Sequence, residues 1–129
     1  MNIILDTHCF IYSIEGNRSA FSEKALSIIL DKTNHIFLSL ASVWEMQIKI
    51  QIGKLKLENE LSKVIDEQLQ TNDLRLLTIS ANHIYNLSQL PFHHKDPFDR
   101  MIISQAMTEG FSLLSKDAQI TPYPVNVIW

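Results

Sequence analysis

Apolar positions along the chain change their period several times, and each change marks a new element. Residues 2–5, running into Ile3-Ile4-Leu5, are a short apolar stretch of the kind a buried parallel strand presents. Phe21, Ala25, Ile28 and Ile29 recur at i, i+4, i+7 and i+8, which predicts an amphipathic helix over 20–31 with Ser19 as its cap. His35 to Leu38 reads as a second strand. Over 40–52, Trp44, Ile48 and Ile52 fall at steps of four with Val43, Met46 and Ile50 beside them, giving a helix with a wide apolar face that Gly53 closes. Leu61, Val64, Ile65 and Leu69 mark a helix over 59–70, Leu74 to Ile79 is strand-like, and a short helix over 80–89 starts at Ser80.

The sharpest boundary is Asp96-Pro97-Phe98-Asp99. Asp96 suits the N-cap, and Pro97 the first helical position, where its missing N–H costs nothing. Met101, Ile102 and Ala106 carry that helix to Gly110. Phe111 to Ser115 and Val125 to Trp129 are the last strands. Strands alternating with helices predict an α/β domain around a mainly parallel sheet.

With 129 residues, 46% of them hydrophobic and 19% charged, the chain has material for one domain with one core. The single cysteine, Cys9, forms no internal disulfide, suits a reducing cytosol, and reads as a small core residue. The opening residues lack the basic start of a signal peptide, and no run approaches the ~20 apolar residues of a membrane span, so a cytoplasmic protein without membrane attachment is expected. A net charge of −3 argues against a module held to nucleic acid by phosphate contacts alone. It does not exclude a nuclease, because a carboxylate-lined metal site makes the count more negative.

Four acids stand out by position. Asp6 follows the first strand, at the edge where open α/β sheets bind ligands; its alternative role is to cap a helix beginning at Thr7. Glu45 lies on the margin of the Trp44 helix, where a surface pair with Lys49 is the plainer explanation. Asp99 sits three residues beyond the presumed cap with Ile102 and Ile103 following, so its side chain points to the core side; a capping box would prefer the longer Glu or Gln. Asp117 follows the Phe111–Ser115 strand, where a turn role is the alternative. Carboxylates gathered in one pocket repel unless a cation joins them, and hard oxygen donors favour Mg²⁺ or Mn²⁺. No Cys/His spacing suggests zinc, and catalysis by His93 or His94 is the minor alternative.

The series Asp6-Thr7-His8, Val43-Trp44-Glu45, His93-His94-Lys95-Asp96-Pro97-Phe98-Asp99-Arg100 and Ser115-Lys116-Asp117 resembles the VapC-type PIN domains over the whole chain. The stretch from Leu90 to Ala106 is its most specific part. The resemblance implies a single PIN domain over 1–129, a three-layer α/β/α arrangement with an acidic site at the carboxyl edge of the sheet. It also implies an Mg²⁺- or Mn²⁺-dependent endoribonuclease, in which a metal-activated water attacks an RNA phosphodiester, acting as toxin of a type II toxin–antitoxin pair. The family's acidic quartet maps onto Asp6, Glu45, Asp99 and Asp117. Asp96 is a fifth acid that could cap the helix, ligate metal through water, or both; capping is the first reading. Thr7 and Ser115 could orient neighbouring carboxylates. Arg100 and Lys116 could each contact an RNA phosphate or balance charge, and Lys49, Lys54 and Lys56 could guide RNA or be a solvated surface. Relatives imply a homodimer neutralised by a small antitoxin whose tail lies over the helical region and sends a basic side chain into the acidic pocket. Leu55 and Leu57, alternating with charges, would suit an exposed apolar edge for a partner. A catalytically silent PIN scaffold and a phospho-receiver domain are the competing readings; the receiver lacks its paired acids after the first strand.

Overall fold

The apolar run at the start of the chain is the middle strand of the sheet. In the computed structural model, which describes residues 1–129, β1 (Asn2–Leu5) pairs with β2 (His35–Ser39) on one side and β4 (Ser112–Leu114) on the other. β3 (Arg75–Leu77) lies outside β2, and β5 (Val127–Ile128) outside β4, giving the order β3-β2-β1-β4-β5. All four pairings are parallel, with Leu5 opposite both Leu38 and Leu114.

Because strand side chains alternate, β1 feeds two cores. Ile3 and Leu5, with Leu38, Leu114 and Ile128, face one layer of helices. There they meet Cys9 and Phe10 of α1 (Thr7–Ile14), Ala25 of α2 (Glu23–Leu30), Met46 of α3 (Leu40–Gln51), and Leu61 and Ile65 of α4 (Leu61–Thr71). Ile4 and Leu113 face the opposite layer, against Ile102, Ile103 and Ala106 of α6 (Pro97–Glu109). α5 (Ala81–Asn86) packs on α6. Helices thus cover both faces of one parallel sheet, the three-layer α/β/α arrangement. Each fully buried Ile or Leu contributes roughly 1.5–3 kcal/mol relative to an exposed one. No helix is long and apolar enough to cross a membrane.

Several boundaries move for local reasons. The helix expected over 20–31 starts at Glu23: Ser22, not Ser19, accepts the capping bond from the Ala25 N–H, while Ser19 donates to the Asn17 side chain in a 3₁₀ turn over Arg18–Ala20. The expected 80–89 helix is α for one stretch only and tightens to 3₁₀ over Leu87–Gln89. α1 is a full element, and Asp6 is its cap. In α3 the stripe of fours is not the buried face. Trp44 is 62% exposed and Ile52 is exposed, whereas Ala41, Ser42, Glu45 and Met46 are buried. Leu55 and Leu57 are half-buried against the first core rather than forming an exposed edge.

The irregular connection into α6 is held by Arg100. Its guanidinium is buried and donates to the carbonyls of Leu87 (3.3 Å), Leu90 (3.2 Å), Pro91 (3.0 Å) and His94 (3.3 Å), and it lies 4.0 Å from the centre of the Phe92 ring. The phosphate contact considered for this side chain therefore gives way to an internal role: its donors point into the protein. Arg100→Ala should lower unfolding stability by about 3 kcal/mol in a denaturant titration, because charge-assisted bonds are lost and carbonyls are stranded. Arg100→Lys should restore little of it, since an ammonium cannot span the carbonyls that the planar fork reaches.

Candidate functional site

Parallel pairing gathers the carboxyl ends of the strands on one edge, and the crevice between β1 and β4 is where strand order changes direction. Asp6 directly follows β1, and Asp117 lies in the turn after β4. α3 springs straight from β2, with Ser39 both the last strand residue and the helix cap, so Glu45 stays near the same edge. α6 leads into β4 and must run back across the sheet, which places its N-terminus, with Asp99 in the first turn, at that edge too. The meeting of Asp6, Asp99 and Asp117 at one edge is a product of topology.

Each acid has defined partners within the chain. Asp6 Oδ1 accepts the Cys9 N–H at 2.8 Å, and its own N–H donates to the Leu114 carbonyl at 3.1 Å, tying the end of β1 to that of β4. Asp6 therefore caps a helix and lines the site at once. The Thr7 hydroxyl donates to Glu45 Oε1 at 2.7 Å, with the Ser42 hydroxyl 2.9 Å away. Glu45 Oε2 pairs with Lys49 Nζ at 2.9 Å. The pair with Lys49 exists, but Glu45 is buried, so it is not a surface pair. Asp96 Oδ1 accepts the N–H groups of Phe98 (2.8 Å) and Asp99 (3.1 Å), the geometry of an N-cap. Ser115 Oγ accepts the Asp117 N–H at 3.1 Å, acting on the turn backbone rather than the carboxylate, and Asp117 Oδ1 accepts the Gln119 N–H at 2.9 Å.

Asp6, Asp99 and Asp117 line one open cavity of about 260 Å³ together with His8, Tyr12 and Lys116. The Lys116 ammonium sits 5.0 Å from the centre of the Tyr12 ring and 5.9 Å from that of Trp129, at the cavity rim. Lys54 and Lys56 are exposed and do not line this cavity. Burial pushes the Asp99 carboxyl up to about 7; the Asp96 charge adds to the rise, as do Glu45 and Asp6, while His94 opposes it. Burial likewise raises the Cys9 thiol, helped by Asp6, which keeps it a neutral core side chain.

His94, weighed in the sequence only as a minor catalytic alternative, lies against two of these acids. His94 is buried, with Nε2 2.8 Å from Asp117 Oδ2 and 3.1 Å from Asp99 Oδ2. Candidate ligand atoms of His94, Asp99 and Asp117 all lie within 4.8 Å of one another. The sequence signal was its place two residues ahead of the Asp96 cap, but nothing local says that the ring turns towards a strand end more than twenty residues on. His93 instead stands edge-on to Tyr123, with ring centres 5.1 Å apart.

Comparison with known proteins bears on the fold. The chain is similar to VapBC2 from Rickettsia felis, solved bound to a promoter DNA fragment, at 19% identity and a TM-score of 0.74, covering 99% of this chain and 98% of that one. It is similar to DNA-bound VapBC from Salmonella typhimurium at 15% identity and a TM-score of 0.68, covering 99% and 97%. VapBC-5 from Mycobacterium tuberculosis, of the VapBC family of toxin–antitoxin systems, aligns at 11% identity and a TM-score of 0.61, covering 98% and 97%. No curated protein sequence matches the chain. Residues 3–124 match the family model described as PIN domain, which sets aside the phospho-receiver alternative. With that match covering nearly the whole chain and every acid of the cavity, the chain belongs to the PIN domain family.

Proposed function

We propose that this chain is an Mg²⁺- or Mn²⁺-dependent endoribonuclease, the toxin of a VapBC-like type II toxin–antitoxin pair, working in the cytoplasm. The observation that carries the reading is the shared cavity of Asp6, Asp99 and Asp117, with the buried Glu45 among the charges that help raise Asp99 to about 7. Acids gathered in a partly buried cavity, where desolvation and neighbouring charges resist ionisation, fit a hard divalent cation better than an empty pocket. His94 contacts Asp99 through Oδ2, which leaves Asp99 Oδ1 to meet a cation. When bound, such a cation supplies an activated water and offsets charge growing on a phosphodiester.

The chain's own residues supply the rest. Asp6, Asp99 and Asp117 would hold the cation, Glu45 would add negative charge, and Thr7 donates to the Glu45 carboxylate. Lys116, which lines the cavity, would meet an RNA phosphate. Asp96 serves as the helix cap, which orients the first turn that carries Asp99. The likeness to VapBC complexes supports a small antitoxin as partner; its basic side chain would find its complement in this acidic cavity, and the toxin would be a homodimer. The purified chain should cleave RNA with Mg²⁺ or Mn²⁺ and lose at least 99% of that activity (~100-fold) in excess EDTA, recovering on re-addition of metal. Cleavage undiminished by EDTA, or no cleavage of any RNA class by metal-loaded protein, would overturn the reading.

A further inference from the structure

His94 contacts two of the cavity's acids, Asp99 and Asp117, and the acid-and-metal reading gives it no task. We infer that His94 is a positioning residue whose Nε2–H holds the Asp99 and Asp117 carboxylates at the separation a divalent cation needs, and that it does not ligate the cation. This rests on the proposed reading of the cavity as a divalent-cation site.

The location of its proton follows from the backbone. His94 Nδ1 receives the Asp96 N–H at 3.1 Å. A backbone N–H only donates, so Nδ1 keeps its lone pair and the ring proton is on Nε2. That N–H donates to Asp117 Oδ2 at 2.8 Å, with Asp99 Oδ2 3.1 Å from the same nitrogen. To ligate through Nε2 the ring would have to move its proton to Nδ1, where it would face the Asp96 N–H donor to donor. Ligation is therefore opposed by a group that cannot turn away, because the Asp96 side chain is itself committed to capping α6.

The ring has little freedom to do otherwise. His94 is 5% exposed, its backbone N–H donates to the Tyr123 hydroxyl at 2.9 Å, and its carbonyl receives Arg100 Nη1 at 3.3 Å. The two acids it joins come from the first turn of α6 and the turn after β4, and each would push the other away. A single fixed N–H between them opposes that repulsion without occupying Asp99 Oδ1. The spacing His94-Lys95-Asp96-Pro97-Phe98-Asp99 then has a physical reason. Asp96 receives the Asp99 N–H and gives its own N–H to His94, and His94 returns to the Asp99 carboxylate, closing a loop of contacts around the helix mouth.

Calorimetric titration with Mg²⁺ alone tests this on wild type, His94→Ala and His94→Gln. The Ala variant should bind Mg²⁺ ~10–100-fold more weakly, as loss of a group that orients ligands does. The Gln variant, whose amide N–H can reach the place of Nε2–H, should recover most of the affinity. Nitrogen NMR of the wild-type ring should show Nδ1 as acceptor and Nε2 protonated both before and after Mg²⁺ is added. Unchanged Mg²⁺ affinity in His94→Ala, or loss of the Nε2 proton when Mg²⁺ binds, would overturn the inference; the NMR result decides even if the variants do not fold. Absence of Mg²⁺ uptake by the wild type would instead sink the metal-site reading, and this inference with it.

Discussion

Asp99→Asn should cut RNA cleavage roughly a thousandfold or more while the protein stays folded, since a lost contribution of several kcal/mol to charge stabilisation corresponds to about that factor. Asn keeps the volume of the side chain, and the apolar anchors of the same helix, Ile102 and Ile103, are untouched. What disappears is the negative charge that burial and the neighbouring acids already resist. Asp6→Asn should lose activity as severely and also stay folded, because Asn is as good an N-cap as Asp and can still accept the Cys9 N–H. Cleavage assays beside circular dichroism melts check both. Wild-type cleavage by either folded variant would remove the acids from the chemistry.

Mg²⁺ affinity should rise about tenfold per pH unit below the Asp99 transition near 7 and level off above it, so that binding at pH 5 is roughly 100-fold weaker than at pH 8. The cause is competition: below 7 a cation must displace the proton that burial and Asp96 hold on Asp99. The same shift sets the stability of the metal-free protein, with the sign worked from the raised value. The folded state holds this proton more tightly than the unfolded chain, whose carboxyl titrates near the ordinary 3.8. The stabilising contribution is therefore complete below that value and is lost as pH rises through about 7. Melting of metal-free protein from pH 4 to 8 should show stability falling over that window, Mg²⁺ should restore it at the alkaline end, and Asp99→Asn should abolish this part of the pH dependence. A pH-independent Mg²⁺ affinity would show that Asp99 does not release a proton to the metal.

Local patterns fixed a great deal. The apolar run Ile3-Ile4-Leu5 specified a buried parallel strand, Asp96-Pro97 and Gly110 set the limits of α6, and the four acids were conspicuous before any contact was known. These are properties of neighbours a few residues apart, set by side-chain periodicity, capping and the backbone limits of Pro and Gly, which a sequence displays directly. Only the tertiary structure decided the order β3-β2-β1-β4-β5, and with it that Asp6 and Asp117 share a crevice with the mouth of α6. It also turned α3 so that Glu45 is buried and Trp44 exposed, aimed Arg100 inward at four carbonyls, and set His94 between two acids. Which strand lies beside which, and which way a helix face turns, depend on packing summed over residues far apart in the chain. The period of a helix limits which side chains share a face, but only the surface it packs against chooses the face that is buried.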